Sequence, residues 1–331
     1  MKKSAAIFGG YGTFGSIIAR ELARRSVPVV VLGRDGERAA AFAREIGARG
    51  LRADVHEPPA ELLAGEHVLV NAAGPFSGLG TALAEECARR GIHHVDIADD
   101  RRYAARIRAL PFERSCAVYG CSSLPAISLA LLECLAQGNP ERVRITLFIG
   151  NDNPKGKAAV TSVVEGLGKP IDAPQGTLRG FGNGEVVTLP VFGTRRVYDF
   201  ESPDYDLVQA PSVSVKVGFE LRLATRAFAL MAAVSSRWGS RTAGLLSRVV
   251  LPVGSSGGVV QVEVFTPQGV RRGSLSGARD GQRMAALPCV LVAERLCSGV
   301  EATGVTTAPG LLGARPLLDA IAAEGFELSL G

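Results

Sequence analysis

No apolar run in this chain approaches the roughly 20 residues that a helix needs to cross a bilayer. The most apolar helix candidate, near Arg226–Val234 within the stretch Leu221–Val234, is far shorter. An integral membrane segment is therefore not expected. The six cysteines (Cys87, Cys116, Cys121, Cys134, Cys289 and Cys297) include no C-x-x-C pair, and no cluster of His, Cys, Asp and Glu has metal-ligand spacing, which argues against a zinc-dependent enzyme. The Tyr-x-x-x-Lys pair of short-chain dehydrogenases is absent, which argues against that mechanism. No basic stripe is interleaved with aromatics, so the formal charge of +5, from 37 basic and 32 acidic residues, suits a small anionic molecule as well as nucleic acid. Nucleic acid is not an expected partner. Lys2 and Lys3 precede an apolar run that breaks at Gly9 and Gly10, so the opening reads as a strand rather than a signal peptide, and a cytoplasmic location is expected.

At 331 residues, two domains are expected. Ser4–Phe8 is short, apolar and unbroken, as a central parallel strand requires. A glycine turn and an amphipathic helix over Ser16–Arg25 follow it. Strand and helix then alternate: Val27–Leu32, Glu37–Ile46, Gly50–Ala53, Val68–Val70, Leu79–Arg90, His94–Ile97, Asp100–Leu110 and Cys116–Tyr119. This alternation is the form of a doubly wound Rossmann fold with about six parallel strands. It predicts a Rossmann domain over residues 1–123.

Beyond Ser123 the pattern changes. A helix is expected over Leu124–Ala136, then alternating strands at Val143–Ile149, Glu185–Phe192, Ser212–Leu221 and Val259–Phe265, the last turning through Pro267-Gln268-Gly269 into Val270–Leu275. With helices at Ala158–Leu167, Gln282–Cys297 and Leu311–Ala323, these predict an α+β domain with a mixed sheet over residues 124–304. Residues 305–331 are expected to pack back on the first domain. Gly168–Gly184, rich in Gly and Pro, reads as a mobile loop.

Gly10-Tyr11-Gly12-Thr13-Phe14-Gly15, preceded by Gly9, is a G-x-G-x-x-G turn between strand and helix. Its first glycine permits the tight turn, its second lets backbone approach a pyrophosphate, and its third lets the helix pack on the strand. The helix start then offers free N–H groups to the phosphates. The next strand ends at Gly33-Arg34 rather than at the acidic residue that binds an NAD ribose, which favours NADP(H) over NAD(H). Asp35, one residue later, is explained by helix capping. Asp54 is placed to reach an adenine edge or simply to form a turn. Asn71-Ala72-Ala73-Gly74-Pro75 follows the fourth strand, where small residues let backbone pass beside the cofactor.

Proton transfer is assigned first to Asp96, at a strand end, with His94 as a second candidate because its ordinary pKa suits a shuttle. A turn cap explains Asp96 equally well, and a structural histidine explains His94. Phe76, Ser122 and Ser123 lie where they could meet substrate, as does Lys157 from the second domain, beside Lys155. A helix-capping turn and a solvated loop are the plainer readings.

On these segments (the glycine turn, Gly33-Arg34, Asn71–Phe76, His94-Val95-Asp96 and Gly120–Ser128) the chain resembles the saccharopine dehydrogenase-like family. The likeness is clearest over residues 4 to 135 and fainter through Gly156–Thr161 and the last helix and strand. It implies a Rossmann domain followed by a mixed domain that supplies a substrate cleft and a homodimer interface. It also implies nicotinamide-dependent hydride transfer at a carbon bonded to nitrogen, with C=C and C=O as further options. Members acting on saccharopine commonly carry Gly-Leu-Asp-Pro-Gly where this chain has Gly120-Cys121-Ser122-Ser123-Leu124. Ser122 stands in place of the acid, so a small polar substrate other than saccharopine is expected. A lipid or polyketide intermediate, or an inactive cofactor-binding sensor or scaffold, are the rival readings.

Overall fold

The structure, a computed structural model, describes residues 3–58, 67–136, 138–154, 165–221 and 254–331. The chain divides into two compact units, Met1–Ser122 with Ala286–Gly313, and Ser123–Ala285 with Ala314–Gly331.

The first unit is built on seven parallel strands: β1 (Ser4–Phe8), β2 (Val29–Gly33), β3 (Arg49–Arg52), β4 (His67–Asn71), β5 (His93–Asp96), β6 (Cys116–Val118) and β15 (Gly304–Thr306), in the order β15-β6-β5-β4-β1-β2-β3. Every residue of β2 is buried, as is every residue of β1 after Ser4. Helices α1 (Thr13–Arg24), α2 (Gly36–Glu45), α3 (Ala82–Arg90) and α4 (Arg101–Arg108) connect the strands. From β1 the chain runs outward to β2 and β3, then restarts at β4 on β1's other side. This reversal opens a crevice at the strand exits, where ligands of such sheets bind.

The second unit carries the order β10-β11-β12-β7-β13-β14-β16, from β7 (Arg142–Ile149), β10 (Glu185–Leu189), β11 (Gly193–Asp199), β12 (Ser212–Phe219), β13 (Gly258–Thr266), β14 (Gly269–Gly277) and β16 (Glu327–Leu330). Only the β12–β7 pair is parallel. Val143 and Ile145 share one face, on which helix α5 (Ser128–Leu135) packs against β13 and β14. The sheet curls on the other face: Glu185 of β10 reaches Arg144 of β7 at 2.7 Å. Two strands intervene, so a flat sheet would hold these backbones roughly 14 Å apart.

Three expectations are corrected. Gly168–Gly184 contains a hairpin of β8 (Pro170–Ala173) and β9 (Gly176–Arg179) whose Ile171 is buried, so apolar contact orders what glycine and proline content suggested was loop. The helix expected over Leu311–Ala323 breaks at Gly313, φ +83°, into Ala308–Leu312 and Ala314–Ala322. The tail does not join the first unit as a whole: β15 extends the first sheet beside β6, while β16 pairs with β14 in the second. Lys155, Lys157 and most of the expected helix Ala158–Leu167 lie outside the described residues, as does the apolar stretch after Leu221.

Candidate functional site

The glycine turn leaves β1 with no room for side chains. A Cβ on Gly9, whose φ is +70°, would stand 2.8 Å from the Ala72 carbonyl oxygen, and one on Gly15 would stand 2.1 Å from that of Gly9. The exits of β1 and β4 therefore touch backbone to backbone, and α1 presses on the turn. Gly12 is the N-cap of α1 and offers no side-chain cap, so the first-turn amides are left for an outside acceptor, with the helix dipole behind them. A turn whose glycines bring backbone against backbone, and an uncapped helix start at the sheet's switch point, fit a dinucleotide pyrophosphate.

At the β2 exit the Tyr11 ring packs on Gly33, where a Cβ would come 2.1 Å from Cε1. The Asp35 amide donates to the Tyr11 hydroxyl at 3.1 Å. Asp35 Oδ1 accepts the Arg38 amide at 3.1 Å, so this carboxylate caps α2. Arg34 is exposed beside it. Asp54 Oδ1 accepts the His56 amide at 3.0 Å, closing a local turn.

Asn71 and Asp96 are paired in register as the last residues of β4 and β5, and each ties down the loop that follows it. Asn71 Oδ1 accepts the Ala73 amide at 3.1 Å. Asp96 Oδ1 accepts the amides of Ala98 at 3.0 Å and Gly120 at 2.9 Å, and its carbonyl accepts Cys121 N–H at 2.8 Å. His94 Nε2 lies 3.3 Å from Asp96 Oδ2, and both side chains are 0% exposed. Asp96 Oδ1 thus holds the β6 turn through two amides, while Oδ2, facing His94 Nε2, is buried without a hydrogen-bond partner. Phe76 is likewise buried, its ring 5.1 Å from that of Tyr103, which accepts a hydrogen bond from Asn71 Nδ2. Ser123 is buried, and Ser122 is half-buried. Ala72 and Ala73 are half-buried, and Gly74 and Pro75 are exposed.

One residue that sequence reasoning passed over stands out. Asp99, three positions beyond the β5 exit, is half-buried, and burial pushes its carboxyl up to about 6 from the usual 3.8. In the sequence it was one acid among three in Asp96-Ile97-Ala98-Asp99-Asp100. Only the fold separates their roles: Asp96 Oδ1 holds the β6 turn, Asp100 caps α4 by accepting the Tyr103 amide at 2.7 Å, and Asp99 is left half-buried with a raised pKa.

The family model for the saccharopine dehydrogenase NADP binding domain matches residues 6–121. The N-terminal domain belongs to that family. It is an NADP-binding domain of an oxidoreductase family, the family that the glycine turn and strand exits resembled. Among solved structures, apo saccharopine dehydrogenase (L-Glu forming) from Saccharomyces cerevisiae superposes with a TM-score of 0.67 over 99% of this chain and 100% of its own, at 10% identity. That likeness shows a shared fold. Serine dehydrogenase from Escherichia coli matches 35% of this chain and 80% of its own, at 16% identity and a TM-score of 0.26. No curated protein matches the chain.

Proposed function

We propose that this protein is an NADP(H)-dependent oxidoreductase that transfers a hydride at a C=N group, ahead of C=C or C=O, of a small polar substrate other than saccharopine. The observation that carries the reading is the turn at Gly9–Gly15, whose glycines have no room for a Cβ, opening onto the uncapped start of α1, with Arg34 at the neighbouring exit. The first-turn amides hold the pyrophosphate, Arg34 pairs with the 2'-phosphate, and the Asn71–Pro75 backbone flanks the nicotinamide half. The cofactor supplies the hydride. Asp54 contributes at the adenine edge, and Ser122 at the substrate. The six cysteines are all unpaired, which supports a cytoplasmic site of action. A homodimer is proposed from the family resemblance.

Reduction of C=N also needs a proton on nitrogen. Asp99 is assigned that proton, because among the acids of its segment it is half-buried and carries a carboxyl that holds a proton up to about pH 6. Asp96 and His94 act as positioning residues that hold the Gly120 turn. The reductive rate then falls as pH rises through about 6, while the oxidative direction gains over the same range. The stability sign is opposite to that of an ion-paired carboxylate. A raised folded pKa contributes stability below 3.8 that is lost as pH rises to about 6, so Asp99→Asn is expected to be at least as stable as wild type at pH 7.

The test has two stages. NADPH and NADH are titrated first; a clear preference for NADH refutes the cofactor assignment. Imines, keto acids with amines, and enones are then screened at the nicotinamide absorbance. With the substrate found, Asp99→Asn should lower kcat by roughly 100-fold or more and remove the limb near pH 6. An unchanged kcat, with chemistry shown to limit the rate, rejects the role.

A further inference from the structure

The second inference rests on the NADP(H) reading and concerns how the extra phosphate is recognised. Arg34 is not alone at its strand exit. Arg52 ends β3 directly opposite Gly33 in the parallel ladder. Side chains in register on neighbouring strands leave the sheet on the same face. A Cβ on Gly33 would point into the Tyr11 ring, so Arg52 emerges on the Tyr11 side. Its own Cβ stands 3.1 Å from where a Cβ on Gly36 would be, beside the start of α2. Arg38, in the first turn of α2, holds its guanidinium 4.8 Å from the centre of the Tyr11 ring.

All three arginines are exposed. Among the described residues none is engaged by a carboxylate in an ion pair. Asp35, the acid in their midst, is spent on the α2 cap. This exit therefore gathers guanidinium groups from three elements that make no ion pair among the described residues, with Arg38 against a Tyr11 ring whose hydroxyl accepts from the Asp35 amide.

We propose that Arg38 and Arg52 join Arg34 as the determinants of NADP(H) over NAD(H), clasping the 2'-phosphate, with Tyr11 as the positioning residue that holds Arg38 in place. The physical case is one of charge and number. A phosphate monoester carries close to two negative charges and three acceptor oxygens, and one exposed arginine in water contributes little. Guanidinium forks arriving from several elements match those oxygens and add up. Stacking on an aromatic ring lowers the freedom that Arg38 would lose on binding.

The test uses the full chain and two small probes, 2',5'-ADP and 5'-ADP, competed against bound NADPH and backed by direct titration of NADPH and NADH. Arg38→Ala and Arg52→Ala should each weaken 2',5'-ADP and NADPH by roughly tenfold, leaving 5'-ADP and NADH within about twofold. Tyr11→Ala should reproduce the Arg38→Ala loss and add little to it in the double variant, whereas Tyr11→Phe, which keeps the ring, should restore most of the discrimination. Equal weakening of both nucleotides, or no change in either, overturns the clasp while leaving the NADP(H) reading intact. A wild-type chain that binds neither NADPH nor NADH removes both.

Discussion

The two sheets of this protein handle polar groups in opposite ways. In the first, the central strands β1 and β2 are apolar, and at the exits of β4 and β5 the side chains of Asn71 and Asp96 tie down the loops that follow. In the second, polarity runs across the strands. Lys216, 2.7 Å from Asp199 and 3.1 Å from Glu185, is continuous with Arg144, which bridges Glu185 and Glu263 at 2.7 and 2.6 Å, and with Arg272, 2.7 Å from Glu263. Lys216, Asp199 and Glu263 are almost wholly buried. Burial lifts the Asp199 carboxyl above its ordinary range even with Lys216 beside it. Glu185, burial notwithstanding, is held below its range by Arg144 and Lys216. The first sheet keeps its central strands apolar and places Asn71 and Asp96 at the rim where ligands of such sheets bind, while the second uses polar groups internally across its strands.

The largest test of that contrast is Lys216→Met. It leaves the buried Asp199 without its cation while Glu185 keeps Arg144, and urea unfolding should show a loss of about 3–5 kcal/mol, with NADPH affinity retained if the network is structural. Next comes Gly15→Ala on the first sheet's rim. Its Cβ would meet the Gly9 carbonyl oxygen at 2.1 Å, backbone that cannot turn aside. A destabilisation of about 1–3 kcal/mol is expected, together with loss of NADPH binding by titration; a variant that binds normally would show that the turn is not the phosphate cradle. The smallest effect has the opposite sign. Thr146 is fully buried in the second sheet with no hydrogen-bond partner for its hydroxyl. Thr146→Val should raise stability by up to about 1 kcal/mol in the same unfolding assay, and a loss would mean that the hydroxyl is satisfied in solution.

The parts of the molecule legible in the sequence were those governed by neighbours along the chain. Ser4–Phe8, the glycine turn and α1 follow from local sterics, and the Asp35 cap needs only the amide three residues on. The polar face of the second sheet was legible as alternation, but its meaning was not. Arg142, Arg144 and Thr146 alternate with Val143 and Ile145 as on a strand with one solvated face, yet Thr146 is sealed because β10 curls back over that face. The same limit applied to the acids after β5. That Asp96 Oδ1 holds the β6 turn, 24 residues away, could not be read from the segment around it.

The sequence by itself determined that the first third of the chain is a Rossmann domain with a phosphate-binding turn, because the spacing of Gly12 and Gly15 answers contacts with Gly9 only a few residues away and the strand–helix alternation repeats along the chain. Tertiary structure decided which acid is buried and which stays accessible, which arginines gather at the β2 exit, and which sheet each part of the tail joins. Those outcomes depend on burial and on pairing between strands far apart in the chain, quantities that no local window of sequence contains.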